Sequence, residues 1–352
     1  MNCLVLAPQR YGIREVAQRV GKEWEAMGHD VEYELPNGAA ARVGPMTVGI
    51  PGIAIWWRKQ FKELARRPDE YDLIWTHQPL SPTVPSRDSH LWDRVVVTFH
   101  TTEYAKYRLA SEGVYPRTRL PYHSLTRLLE GWFYRRLSKI DGPGPQYTIV
   151  SSQLQSETAT FGITNPTCIP NGVFTPNDRN FAPIREEYGI PSESTLVFNI
   201  GSLSAQKRPV LFAETMAAVC AEREDLYCVM AGKGSLKDAV EAHTSEKLRS
   251  IGYVSEEEKW RWFTDSDLFA SLSAYEGLPI ASLEALSFGL PVVLSDIPAH
   301  RTLVSEYEAT GMCVSTDRRA VASAIERVED KTANVSLPAW NEIAAEYLKL
   351  VR

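Results

Sequence analysis

The feature that most constrains this 352-residue chain is an alternation of short apolar runs with longer amphipathic stretches, present in both halves. Residues 2–7, 31–35, 73–76, 94–99 and 148–151 have strand character in the first half. Residues 196–200, 226–231, 249–253, 268–273, 291–294 and 312–314 have it in the second. Apolar runs without a polar face suit parallel strands covered by helices on both sides. Between the first two runs, Ile13, Val16, Val20, Trp24 and Met27 fall at helical spacing, and Gly28 ends that helix. Further helices are predicted at 206–222, 235–243, 255–264, 279–288, 318–329 and 338–350. The Gly-, Ala- and Pro-rich residues 36–52 read as loop, and the turn-rich segment from Pro170 to Pro183 reads as a linker. The chain is too long for one core. The expectation is an α/β protein with two Rossmann-like domains facing across a cleft. The first domain spans 1–175 plus about 338–352, the second 183–337, with 176–182 as the connection. The last helix crosses back to the first domain.

Composition excludes several classes. A hydrophobic content of 44% with 23% charged residues belongs to a folded globular chain rather than a disordered one. Residues 1–178 carry 20 Lys and Arg against 18 Asp and Glu, while the remainder carries 18 against 26, which argues against a nucleic-acid binder. The five cysteines, Cys3, Cys168, Cys220, Cys228 and Cys313, form no Cys-x-x-Cys pair. They read as free thiols in a cytoplasmic protein. The first strand is too short for a signal peptide, and no run reaches transmembrane length.

The stretch from Ser273 to Glu284 carries the chemistry. A strand runs into a turn containing Gly277, and a helix begins at about Pro279. Glu276 stands just before the helix N-terminus, where amides and the dipole favour anions. Glu284 is the only ionisable residue on the helix, with Ile280, Ala281, Ser287 and Phe288 as its neighbours three and four away. A carboxylate so placed is costly to bury without a partner. The reading is an anion-holding turn flanked by two carboxylates free to accept from hydroxyls, which suits a sugar nucleotide.

Several motifs in one order give that reading a family. They are Gly201-Ser202-Leu203-Ser204-Ala205-Gln206-Lys207, Ala231-Gly232-Lys233-Gly234, Gly252-Tyr253-Val254, Glu276-x7-Glu284, Gly289-Leu290-Pro291-Val292-Val293 and the closing Ala339-Trp340-Asn341-Glu342 helix. In the first half, Gly12, Gly28-His29, Val97-Thr98-Phe99-His100 and Ile169-Pro170-Asn171-Gly172-Val173 fit more loosely. Together they resemble the GT-B glycosyltransferases, most closely the retaining glycosyltransferase family 4. The resemblance implies metal-independent transfer of a sugar, with retention, from a UDP- or GDP-type nucleotide donor to a hydroxyl acceptor. No cofactor is implied. Catalytic roles fall on His100 beside the donor sugar, on Lys207 at the leaving diphosphate and on Glu276 at the sugar hydroxyls. Donor-binding roles fall on Gly12, Ser202, Arg208, Gly232, Val254, Gly277, Leu278, Ile280 and Glu284, with Glu284 at the ribose and the amides of 277–281 at the diphosphate.

Two departures qualify the match. Ser202 stands where the family has a second cation, for which Arg208 is a candidate substitute by a different route, and Thr302 stands where Glu is usual. His77 also ends a strand, with a structural role and a site role both open. Asp265-Ser266-Asp267 imitates a metal-binding Asp-x-Asp but falls between a helix and a core strand, so a structural role is expected. Residues 56–67 and 104–139 mix aromatic and basic side chains. They could lie peripherally on the inner face of a membrane or pack their aromatics inward. Two rivals remain at this level. One is a non-catalytic nucleotide-sugar-binding or scaffold subunit of the same fold. The other is a nicotinamide dehydrogenase, disfavoured because Lys237 replaces the third glycine of Gly232-x-Gly234-x-x-Gly.

Overall fold

A computed structural model describes residues 1–7, 11–34, 42–43, 46–47, 49–81, 83–84, 89–140, 144–173, 176 and 179–351. Two compact units divide the chain. One comprises Met1–Gly172 with Pro338–Arg352, and the other Val173–Leu337. Residues 177–178 of the expected connection, and 36–41, 44–45 and 48 of the expected loop, lie outside the described residues.

The first unit contains β1 (Asn2–Leu6), β2 (Asp30–Glu34), β3 (Arg42–Val43), β4 (Met46–Thr47), β5 (Leu73–His77), β6 (Val95–Phe99), β7 (Gln146–Ile149) and β8 (Thr167–Cys168). Its helices are α1 (Tyr11–Ala26), α2 (Gly49–Leu64), α3 (Ser89–Trp92), α4 (Glu103–Ser111), α5 (Leu120–Leu137) and α6 (Leu154–Ala159). Six strands make a parallel sheet in the order β2-β1-β5-β6-β7-β8, and β3 pairs with β4 as a separate antiparallel hairpin. Part of the segment read as loop is therefore structured. A helix starting at Gly49 tolerates Pro51 because the first-turn amides have no intrahelical acceptor.

The second unit contains β9 (Thr195–Ile200), β10 (Leu226–Ala231), β11 (Leu248–Gly252), β12 (Leu268–Ser271), β13 (Val292–Ser295) and β14 (Gly311–Val314). Its helices are α7 (Pro209–Glu222), α8 (Lys237–Glu241), α9 (Glu256–Asp265), α10 (Ile280–Ser287), α11 (Pro298–Glu306) and α12 (Arg318–Val328). The sheet is parallel in the order β11-β10-β9-β12-β13-β14. Alternating side chains fill two cores. Leu196, Phe198 and Phe269 join Trp262, Phe263 and Leu283 on one face. Val197, Leu268, Ala270 and Val293 join Phe212, Met216 and Ile325 on the other. This two-faced burial is why these strands read as unbroken apolar runs.

The chain ends in α13 (Trp340–Leu348), which packs on the first unit. Trp24 Nε1 donates to the Ala344 carbonyl at 2.9 Å, and Tyr347 lies against Trp75 with ring centroids 4.6 Å apart. Gly172 is required here, since a Cβ at that position would sit 2.9 Å from the Trp340 backbone.

Candidate functional site

In an open parallel sheet, ligands bind where the strand order reverses, beyond the carboxyl ends of the strands. In the second unit that point lies between β9 and β12. The chain leaving β9 makes a 3-10 turn at Ala205–Lys207, then passes through Arg208 at φ 47° into α7, with Pro209 in its first turn. A left-handed arginine is strained, and such strain concentrates at functional sites. The loop leaving β12 is stitched to this turn. Ala274 N donates to the Gln206 carbonyl at 2.8 Å, and Gln206 Nε2 donates to the Tyr275 carbonyl at 3.0 Å.

That stitching brings Lys207 to Glu276. The ammonium reaches both carboxylate oxygens, at 2.6 and 2.7 Å. Glu276 is buried, while a third of the Lys207 side chain is exposed. Burial would raise the Glu276 pKa. The charge of Lys207, with hydrogen bonds from Lys207 and Ser273, outweighs it and holds the carboxyl below its usual value of 4.5. Lys207, Glu276 and Ser202 line one pocket of about 400 Å³, part of it open to solvent, together with Asn199, Ser271 and Ser282. Ser202 is exposed and its hydroxyl lies 3.0 Å from that of Ser204.

The helix α10 begins one residue later than expected, with Pro279 as its cap at φ −79° and ψ 85° and no side chain capping its amides. Ser282 and Leu283 amides bond the Pro279 carbonyl. The amides of Ile280 and Ala281 are left as leading donors of an uncapped helix, beside Pro279 and Ala281 in the pocket wall. Gly277 and Leu278 form the half-buried turn before it.

Glu284 corrects one expectation. It is not free of a basic neighbour: Lys259 of α9 reaches its Oε1 at 2.9 Å, and both side chains are more than nine-tenths buried. Lys259 also contacts Glu256 at 3.1 Å and lies 4.0 Å from the centroid of the Trp260 ring. Both carboxylates of the Glu276-x7-Glu284 pattern are thus lysine-clamped, and neither is a carboxylate waiting without a counter-charge.

The glycines of the neighbouring loop have a packing reason. A Cβ on Gly232 would fall 1.8 Å from the Gly201 carbonyl oxygen, and one on Gly234 would fall 2.3 Å from that of Leu203. These two glycines let the loop after β10 lie directly on the loop after β9. Val254 buries its side chain in the core, so only its backbone can face a ligand. The Asp265-Ser266-Asp267 stretch is structural. Asp265 accepts from the amides of Ile184 and Arg185, and Asp267 accepts from the Leu196 amide and the Arg185 guanidinium at 2.7 and 2.8 Å.

In the first unit, His77 ends β5 and His100 follows β6. His77 Nδ1 lies 2.8 Å from His100 Nε2, and the rings stack with centroids 5.1 Å apart. Burial lowers the His100 pKa to about 4 and pushes His77 well below its ordinary value, so both rings are neutral at pH 7. The segment after His100 is fixed from several sides. Gln78 donates to the Thr101 carbonyl, Thr102 caps α4, and the buried Glu130 carboxylate accepts from the amides of Glu103 and Tyr104. Gly12 is a correction: it lies in the exposed first turn of α1 rather than in a loop.

Residues missed from the sequence are Lys259 and His300. His300 is wholly buried in α11, with Nδ1 2.9 Å from the Ser295 carbonyl oxygen. Its segment, Ile297–Thr302, reads as packing because nothing local ties it to Glu276.

The comparisons with known proteins agree with this fold. Residues 11–175 match the family model described as Glycosyltransferase Family 4, and residues 180–341 match that of Glycosyl transferases group 1. A GDP-mannose-dependent alpha-(1-6)-phosphatidylinositol dimannoside mannosyltransferase of Mycobacterium tuberculosis is 24% identical over 91% of this chain and 84% of its own length. A phosphatidyl-myo-inositol mannosyltransferase of Propionibacterium freudenreichii is 25% identical over 93% of this chain and 77% of its own. Among solved structures, sucrose-phosphate synthase from Thermosynechococcus elongatus superposes with a TM-score of 0.67 at 16% identity, covering 100% of this chain and 95% of that one. WaaG, a glycosyltransferase involved in lipopolysaccharide biosynthesis, gives 0.66 at 15% identity, covering 99% and 95%. With matches that run through both of its units and two parallel sheets of this kind, the chain belongs to the GT-B glycosyltransferases of group 1.

Proposed function

We propose that this glycosyltransferase moves a hexosyl group, with retention and without a metal ion, from a nucleotide sugar to a hydroxyl of a lipid-linked acceptor. The observation that carries the reading is the Lys207–Glu276 pair at the β9/β12 switch point, above an uncapped helix N-terminus. Lys207 and the leading amides of α10 supply positive charge to a diphosphate whose negative charge grows as the glycosidic bond breaks. Glu276 accepts from sugar hydroxyls once the ammonium turns to the phosphates, and Glu284 serves the ribose from within its Lys259 clamp. The retaining outcome rests on the family resemblance, with the leaving phosphate as base and His100 orienting the sugar. The names of the relatives make mannose from GDP-mannose the first donor to test.

The lipid-linked acceptor draws support from the surface of α5. Tyr122, Leu125 and Leu128 are 40%, 66% and 57% exposed along one side of the helix, next to the exposed Arg117 and Arg119. The other candidate segment turns inward, with Trp57, Phe61 and Leu64 buried and Phe61 4.9 Å from Trp92. No helix among the described residues is long and apolar enough to cross a membrane, so contact from the cytoplasmic side is peripheral in this reading.

Incubation with GDP-mannose or UDP-hexoses, a lipid extract and excess EDTA tests the proposal, with the anomeric configuration of the product read by NMR. An inverted product, or activity that appears only with a divalent cation, overturns it.

A further inference from the structure

His300 is wholly buried in α11 and has no role in the transfer as proposed above. Its Nδ1 lies 2.9 Å from the Ser295 carbonyl oxygen and 3.1 Å from Ser295 Oγ, while Ser295 Oγ donates to the Ser273 carbonyl at 2.6 Å. A carbonyl only accepts, so Nδ1 carries the hydrogen, and in the neutral ring the lone pair sits on Nε2. Nε2 is buried and has no hydrogen-bond partner among the described residues. The charged groups that act on the ring are Glu276, from the loop after β12, and Lys207, from the loop after β9. Asp296 and Arg301, its neighbours in sequence, pair with each other at 2.6 Å.

We propose that His300 is the proton-accepting partner of Glu276 in the donor-bound state. When Lys207 turns from Glu276 to the donor diphosphate, Nε2 of His300 takes a proton from solvent and restores a cation beside the buried carboxylate. The inference rests on the reading of Lys207 as the diphosphate's cation. In the free protein Lys207 and Glu276 cancel and the ring is neutral. Burial lowers its proton affinity against the pull of Glu276 and the Ser295 carbonyl, and Lys207 adds to the lowering. Moving the ammonium onto the phosphates removes that repulsion. It also leaves a buried carboxylate near a second anion, a state that is expensive without a new counter-charge. Donor binding is then coupled to proton uptake, so affinity weakens as pH rises through the bound-state value.

Titration calorimetry near pH 7.5, in buffers of low and high ionisation enthalpy, measures the coupling. GDP-mannose and UDP-glucose are the probes, since their diphosphates do not themselves titrate near neutrality. The wild-type protein is expected to take up about one proton per donor at most, visible as a buffer-dependent heat. His300→Asn keeps an amide donor for Ser295 but cannot be protonated, and loses that dependence. If Lys207→Ala weakens binding at least tenfold while the wild-type heats are independent of buffer, the role of Lys207 stands and this proposal is overturned. If Lys207→Ala binds as tightly as wild type, or neither nucleotide binds, the donor-site reading fails and takes the proposal with it. Should His300→Asn not fold, the wild-type proton count alone decides.

Discussion

Lys207 and Glu276 stand 69 residues apart in sequence, yet the ammonium of one reaches both carboxylate oxygens of the other, at 2.6 and 2.7 Å. The meeting follows from topology. Strands β9 and β12 are neighbours, so the loops leaving their carboxyl ends face each other, and Gln206 and Ala274 lock them in register. The pair makes one neutral unit of a cation suited to phosphate and an acceptor suited to hydroxyls. In the proposed reading a donor exchanges for that internal bond, its diphosphate taking the ammonium and its hydroxyls donating to the carboxylate.

Substituting either partner should therefore separate stability from turnover. Lys207→Ala leaves a buried carboxylate without its main counter-charge and should destabilise the protein by about 1–3 kcal/mol, less than a fully buried pair because part of Lys207 is in water. Transfer should fall by about 100-fold or more, since the leaving diphosphate loses its cation. Glu276→Gln should lose transfer but unfold at a denaturant midpoint nearer wild type. Equal losses of turnover and stability in both variants, by kinetics and urea denaturation, would contradict the assignment of Lys207 to the diphosphate.

The histidine pair of the first unit predicts a pH dependence of stability. The folded His100 value, about 4, lies below the ordinary 6.5, so the unfolded chain binds the proton more readily between them. Stability is then complete above about 6.5 and is lost as pH falls through that window toward 4, with His77 acting in the same direction. Urea midpoints measured from pH 7.5 to 4.5 should fall steeply in wild type and less so in His100→Asn. Parallel curves would show that these rings do not carry the effect.

The Glu284–Lys259 clamp gives a prediction about binding rather than catalysis. Lys259→Met removes a cation that is itself buried and stranded between Glu284, Glu256 and the Trp260 ring. Without the charge of Lys259, the buried Glu284 should take up a proton more readily and become a weaker acceptor for a ribose hydroxyl. Nucleotide affinity should drop about tenfold, with recovery in Lys259→Arg. Unchanged affinity in Lys259→Met would remove Glu284 from the donor site.

The central strands, such as β5, β6 and β13, are legible because each is buried on two faces. Val197 and Phe198, adjacent in β9, serve opposite cores, and a run of that kind stands out in sequence. Edges are read to within a residue or two, except for β3, β4 and β8, each of two residues, too few to show a pattern. Helix α11 was missed although Pro298 stands in its first turn, and α2 began inside a stretch that Gly and Pro had marked as loop. In the site, Lys207, Glu276 and the α10 turn follow from local chemistry. What sequence lacks is distance. Glu284 looked unpaired because its own helix offers no cation, and Lys259 reaches it from α9. His300 carries no local mark of its nearness to Glu276, which is set by the pairing of β12 with β13.

The acidic pair around Ser266 supplies a last test, because a metal site and a structural clamp respond in opposite ways. Arg185 is nearly buried and is held by the Asp267 carboxylate and by carbonyls of Asp265, Ser192 and Ser194, while Asp265 accepts from two backbone amides. Asp267→Asn weakens the grip on Arg185 and on the Leu196 amide, where β9 begins. Its expected cost is about 1–3 kcal/mol of stability, as for other hydrogen bonds to charged groups. Turnover per folded molecule should stay within about twofold of wild type, because no atom of the clamp lines the pocket of Lys207 and Glu276. A metal-binding Asp-x-Asp would behave the other way, with turnover collapsing at little change in the denaturation midpoint and recovering in part at high manganese. Measuring both quantities on Asp265→Asn and Asp267→Asn, with and without manganese, distinguishes the two roles in one series.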